Sequence, residues 1–316
     1  MAKIVLGIGA SHSPQMSQHW KNWQLMADKD REDPRMNFGE LLKKAPPNLE
    51  RVVNEATWEQ RAGAIQAAIA ELSNVLDSVR PDVVVMFGDD QHEQFLDDNM
   101  PALAIYNGDS FPVIAKHWRA PWMAKEAENW APTDAEYPNA KALADHLLLS
   151  LIDQEFDLAR TNHFREDVGI GHAFGFLYRR IWPGTRVPML PIMVNTYYPP
   201  NQPTPKRCYE LGQAVKRAVE SWESDARVAV IASGGLSHVI VDEEVDEQTL
   251  DGLRNKDPQR LWSLPRPRLK GGTSEVLNWV ALGGVVESMP MTLLEYIPAY
   301  RSLAGTGVGA GFAYWR

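Results

Sequence analysis

DVVVMFGDDQHEQF, residues 82–95, carries the first decision about the fold. Val83 to Phe87 is an unbroken apolar run containing three valines, and it closes at Gly88. An apolar run of this length, bounded by a glycine, has the signature of a strand buried on both faces. Asp89, Asp90, Gln91, His92 and Glu93 follow at once. In layered α/β sheets, ligands bind where such strands end and loops converge.

Three further runs share this character: KIVLGIGA (3–10), VPMLPIMVN (187–195) and RVAVIASGG (227–235). Between them lie helical patterns. Ile65, Ile69, Leu72, Leu76 and Val79 follow the three-to-four period of a core-facing helix, as do Leu211, Val215, Ala218 and Trp222. The alternation predicts an α/β fold, with a central, mostly buried sheet flanked by helices. Residues 14–50 and 97–140 mix charge, proline and tryptophan and read as long covering loops. Without a repeat or a break in composition, residues 1–316 read as a single catalytic domain.

The charge balance narrows the partners. Forty-one acidic against 32 basic residues give a formal net charge of −9, which opposes nucleic acid and anionic membrane surfaces. No apolar stretch approaches the roughly 20 residues of a membrane span, and the N-terminal apolar run is too short for a signal peptide. The single cysteine, Cys208, excludes an internal disulfide and suits a reducing compartment, so the cytoplasm is the expected location. Eleven tryptophans and nine tyrosines point to an aromatic core plus a subunit interface, and a homodimer is expected.

The eight histidines fall into two groups. His19, His117, His146 and His163 lie in helical or loop settings and read as structural or surface residues. His12 (GASHSP), His92 (GDDQHE), His172 (GIGHAFGF) and His238 (SGGLSHVI) each follow an apolar strand or sit in a glycine-bracketed turn. Glu275, in GGTSEVLNWVALGG, stands where an apolar helix begins. Such an acid is either a helix N-terminal charge favoured by the macrodipole or a metal ligand or base held at a rigid helix start. Imidazole plus carboxylate without a thiolate cluster favours Fe(II), Mn(II) or Zn, and a facial arrangement with open positions suits Fe(II) and O2.

At these residues the chain resembles a known family. GASHSP, PDVVVMFGDD, GIGHAFGF, VNTYYPPNQPTPKRCYELGQAVKRAVES, ASGGLSHVI and SEVLNWVALGG are similar, in order and spacing, to the class III extradiol ring-cleavage dioxygenases. These are the relatives of the protocatechuate 4,5-dioxygenase β subunit, and the likeness is greatest to the single-chain gallate and 3-O-methylgallate enzymes. The resemblance implies an Fe(II) centre with His12 and Glu275 as ligands. It makes His238 the acid–base residue and His172 a neighbour of substrate or oxygen. The family usually has Asn-Asp-His or Pro-Asp-His after the second strand. Counted without a gap, that histidine's place falls on Gln91, while metal chemistry favours His92 as its rival. Arg301 is a candidate partner for a substrate carboxylate. Tyr197 and Tyr198 would line the pocket or pack beneath it, and Lys206 and Arg207 read as surface charges.

The implied activity is O2-dependent opening of a catechol-type aromatic acid such as gallate, 3-O-methylgallate or protocatechuate. No organic cofactor motif is present, and the long insertions would stand in for a separate small subunit. The rival readings are a zinc hydrolase on the same His/Glu set, a serine hydrolase built on Ser237 or Ser11, and a metal-free binding or scaffold protein. Neither serine lies in a G-x-S-x-G elbow.

Overall fold

The structure is a computed structural model that describes residues 1–34, 36–114, 134–165 and 167–316. His117 and much of the second expected covering segment lie outside the described residues. The strands are β1 (Lys3–Ala10), β2 (Val83–Gly88), β3 (Leu103–Tyr106), β4 (Ser110–Val113), β5 (Ala135–Pro138), β6 (Ala159–Thr161), β7 (Met189–Val194), β8 (Arg227–Ser233), β9 (His238–Ile240), β10 (Met291–Tyr300) and β11 (Thr306–Trp315).

Among the described residues the main sheet runs β10-β11-β1-β8-β2-β7-β3-β6, with β9 also paired to β11. The four apolar runs of the sequence form its parallel centre, where β1 pairs β8, β8 pairs β2 and β2 pairs β7. Antiparallel pairs β1–β11 and β3–β7 flank this centre, so the sheet is mixed. β4 and β5 make a separate antiparallel ribbon.

Side chains alternate across the pleat. In β2, Val83, Val85 and Phe87 enter one core and Val84 and Met86 the other. Helices Lys141–Asp153, Pro205–Ser221 and Val276–Val285 contribute to the first core through Leu147, Leu211, Val215 and Val280. Helix Glu55–Val79 covers the second with the predicted stripe, Ile65, Ile69, Leu72, Leu76 and Val79. Asn54 caps that helix by accepting from the Thr57 N–H, and Arg80 ends it in the left-handed conformation.

Residues 14–50 are not one open loop. They contain helices Trp23–Glu32 and Phe38–Lys44. The reason is local: Trp23 is fully buried with its Nε1 donating to the Gln15 carbonyl at 3.0 Å, and Asn37 caps the second helix at the Glu40 N–H. No helix among the described residues is long and apolar enough to cross a membrane.

Gly9 explains part of the glycine pattern in KIVLGIGA. A Cβ there would lie 2.7 Å from the Trp279 ring, so the glycine lets helix Val276–Val285 press against β1. Gly9→Ala is therefore expected to destabilise the fold by about 1–3 kcal/mol through overpacking. Urea unfolding of the variant against the parent checks this.

Candidate metal centre and active site

The parallel strands end together, and their exits supply the site. β1 leads into Ser11 and His12, β2 into Asp89, and β8 into Gly234 and Gly235. Glu275 arrives from the opposite direction, at the start of helix Val276–Val285. Two side chains of that helix latch it to the end of β8. Asn278 Nδ2 donates to the Ser233 carbonyl at 3.0 Å, and Trp279 Nε1 to the Gly234 carbonyl at 2.6 Å. Gly234 has φ +93°, and a Cβ there would lie 2.1 Å from Glu275 Oε2. Only glycine meets both demands.

His12, Asp89 and Glu275 are buried, and one donor atom of each lies within 4.8 Å of the others. His12 Nε2 is 3.6 Å from Glu275 Oε2, which also accepts from the Gly235 N–H at 3.1 Å. Gln91 spans the two carboxylates, its Nε2 donating to Asp89 Oδ2 at 3.0 Å and Glu275 Oε1 at 3.1 Å. The amide nitrogen is the sensible assignment here, since a flipped oxygen would face two carboxylates. Asp89 Oδ1 is left buried with no hydrogen-bond partner among the described residues.

That orphaned oxygen, beside a second buried carboxylate and an imidazole, tests whether a cation belongs here, and the residues fit one. Burial first, and then the Glu275 charge, push the Asp89 carboxyl well above the usual range. A dication at this point would relieve the repulsion and complete the unsatisfied oxygen. Burial also holds the His12 imidazole down at about 3, so it stays neutral and able to ligate.

Two more histidines border the cluster. His172 Nε2 lies 3.1 Å from His12 Nε2, the rings set edge to face at 88°. Glu93 Oε1 accepts from His172 Nδ1 at 2.6 Å and from the His172 backbone N–H at 2.8 Å. Burial opposes charge on this pair, but the Glu93 carboxylate outweighs it and raises His172 to about 9, while the His172 charge holds Glu93 at about 2. His238 donates through Nδ1 to the Leu236 carbonyl at 3.2 Å and places Nε2 2.9 Å from Glu275 Oε1 and 3.5 Å from the Tyr197 hydroxyl. Burial opposes its protonation and Glu275 overcomes this, so the His238 pKa is raised. His238 and Tyr197 also line a cavity of about 700 Å³ whose lining includes Lys270, Thr273 and Arg301.

The structure thus brings His12, Gln91, His172, His238 and Glu275 together. His92 points elsewhere: at φ 63° its backbone turns away, its ring stacks on Tyr198 at 3.8 Å between centroids, and Nε2 lies 3.0 Å from Asp97 Oδ1. Arg301, expected to meet a substrate carboxylate, spends its fork internally. It donates to Asp30 at 2.6 and 3.0 Å and to Gln15 Oε1 at 2.8 Å, and it is buried.

The serines have structural partners. Ser11 Oγ accepts from the Gly311 N–H, and Ser237 donates to Asp246 Oδ2 at 2.6 Å while accepting from the Asp242 N–H. Asp246 also accepts from the Ser237 N–H and the Tyr296 hydroxyl, and so holds the turn that carries His238. Burial, the leading cause, raises the Asp246 carboxyl from 3.8 to about 7. A raised pKa means that the folded state binds the proton more tightly, so the stabilisation is full below the unfolded value and lost as pH rises through about 7. The stability of the parent relative to Asp246→Asn is expected to fall from about pH 4 to 7 and to level off above, which denaturant titrations at stepped pH would read.

Three further residues of this cluster are not among the candidates that the sequence offers as ligands or acid–base groups. Asp89 was visible at the exit of β2 but was not singled out as a ligand. Glu93 stands among the polar residues after β2 but meets a partner 79 residues away, and Ser233 gives no local signal, its partner lying 221 residues away.

Residues 53–312 match the family model described as "Catalytic LigB subunit of aromatic ring-opening dioxygenase". The chain is 36% identical over 164 residues to a gallate dioxygenase of Pseudomonas putida, covering 46% of each protein. It is 30% identical over 204 residues to a 2,3-dihydroxyphenylpropionate/2,3-dihydroxicinnamic acid 1,2-dioxygenase of a Rhodococcus species, covering 62% of this chain and 58% of that one. The corresponding enzyme of Comamonas testosteroni is 28% identical over 178 residues, covering 55% and 49%. The chain spans about half the length of the curated relatives it matches.

Proposed function

This chain belongs to the family of the catalytic LigB subunit of aromatic ring-opening dioxygenase, and from that premise we propose that it opens a catechol-type aromatic acid with O2, outside the diol, at an Fe(II) centre. The observation that carries the proposal is the buried cluster of His12, Asp89 and Glu275, with an unpartnered Asp89 oxygen and with His238 between it and a cavity. Gallate, 3-O-methylgallate and protocatechuate are the substrates to try.

His12 Nε2, Asp89 Oδ1 and Glu275 Oε2 would hold the metal, and Gln91 would fix the outward oxygens of the two carboxylates. When bound, Fe(II) supplies the Lewis acidity that acidifies catechol hydroxyls and the open positions where ring and O2 meet. The chain's own residues do the rest. His238 would take a hydroxyl proton at Nε2 and later return it, once the Glu275 ion pair that now occupies that nitrogen is loosened by metal binding. Its Nδ1 is fixed by the Leu236 carbonyl, so that the working nitrogen is defined. Tyr197, whose hydroxyl burial keeps protonated, stands beside that nitrogen as a hydrogen-bond donor. His172, its charge secured by Glu93, directs Nε2 at the centre and is placed to donate to substrate or oxygen. We place the chain in the cytoplasm as a single-domain homodimer, with residues 14–50 covering the site and no separate small subunit needed.

The test begins with anaerobic Fe(II) loading, after which each substrate is added with air and the aromatic absorbance followed. Loss of absorbance that depends on Fe(II) supports the reading; bound Fe(II) with no change for any catechol contradicts it. A companion pair probes the exit of β2. Gln91→Ala is expected to lower Fe(II) content several-fold under limiting metal, whereas His92→Ala leaves it unchanged; metal analysis after gel filtration checks both.

A further inference from the structure

We propose that Ser233 is a positioning residue that fixes the tautomer of His12 and thereby keeps its Nε2 bare for a metal. The inference rests on the reading of His12 as a ligand and deepens it. The argument is a count of protons. The Ser233 hydroxyl is fully buried at the end of β8 and makes two side-chain contacts. Its Oγ lies 2.7 Å from the Ala173 carbonyl oxygen and 3.0 Å from His12 Nδ1. A hydroxyl has one proton to give, and a carbonyl can only accept. The Ser233 proton must therefore go to Ala173, since otherwise two oxygen lone pairs would face each other at 2.7 Å.

With its proton committed, Ser233 Oγ can only accept from His12, so the ring proton of His12 sits on Nδ1. Nε2, the atom nearest Glu275 and His172, then carries the lone pair. The carbonyl that anchors this relay belongs to the residue after His172. One hydroxyl therefore ties the His12 strand end to the helix that carries the neighbouring imidazole. Partners of this kind, on the far nitrogen of a ligating histidine, orient the ring and select its tautomer.

Two experiments test this. In metal-free protein labelled with 15N-histidine, a long-range 1H–15N correlation spectrum at neutral pH reads the tautomer directly, with His12 identified by its loss in His12→Gln. A protonated Nδ1 and a bare Nε2 are expected; the opposite tautomer, or fast exchange between the two, overturns the proposal whatever the protein's activity. Calorimetric titration with Mn(II) then compares the parent with Ser233→Ala and Ser233→Thr. Ser233→Ala is expected to bind about 10–100-fold more weakly, with the hydroxyl of Ser233→Thr restoring most of the affinity. Equal affinity for the parent and Ser233→Ala overturns the proposal. A parent that binds no divalent metal at all removes the premise that His12 is a ligand, and with it the function assigned to the relay. Neither readout uses ring cleavage, so failure of the dioxygenase reading stays separate.

Discussion

Asp89→Asn is expected to lower the affinity for a divalent metal by about 100-fold or more while raising the thermal stability of the metal-free protein. The two signs come from one cause. In the metal-free site two buried carboxylates, Asp89 and Glu275, face each other across the Gln91 amide, and each disfavours the other's charge. Neutralising Asp89 removes first the cost of burying its charge and then that repulsion, so the empty protein gains. The same change removes an anionic donor from the cluster. An amide whose oxygen kept the Gln91 bond would turn its NH2 group to where Asp89 Oδ1 now stands unpartnered. The loss should exceed the 10–100-fold typical when only an outer partner of a ligand is removed. Calorimetric metal titration and a melting curve without metal read the two effects independently. A merely structural Asp89 would lose stability and leave any metal binding alone.

His238→Gln is expected to reduce turnover by about 10²–10⁴-fold, the usual contribution of a positioned acid–base group, with metal content nearly unchanged. His238 meets Glu275 at the oxygen that Gln91 also holds, and the Gln91 amide and the Gly235 N–H still hold Glu275 after the substitution. Its Nδ1 is committed to a backbone carbonyl, so Nε2, which faces Glu275 at the cavity wall, is the nitrogen placed to exchange protons with whatever enters. Glutamine keeps a polar contact to Glu275 but cannot take up and return a proton. Steady-state kinetics with parallel metal analysis separate a proton-transfer defect from metal loss. A variant with near-parental turnover would remove His238 from the chemistry.

The sheet was legible where burial was two-sided. Four apolar runs announced β1, β2, β7 and β8, because a strand covered on both faces has little choice of residue. β3, β6 and β9 are only three or four residues long, too short for a periodic pattern to set them apart from loops. At the site, the histidines and Glu275 stood out as reactive types at strand ends or a helix start. The exit of β2 was harder. Counting by two from a strand assumes an extended backbone, yet β2 stops at Gly88 and the chain reaches a left-handed turn at His92. Parity therefore stops carrying information at the residues that matter, and Asp89, the first after the strand, lies at the centre. Arg301 shows the complementary limit. Its chemistry suited a substrate carboxylate, but the carboxylate it meets is that of Asp30, 271 residues away. Only the folded chain brings the two together.

The most direct test of the central claim is isotopic. The Fe(II)-loaded protein is given a catechol-type acid under 18O2, and the ring-opened product is examined by mass spectrometry. The account predicts that both atoms of one O2 enter the product, the mark of a dioxygenase acting on the ring. A product whose new oxygen comes from water, or a substrate left intact by protein with bound Fe(II), would contradict it.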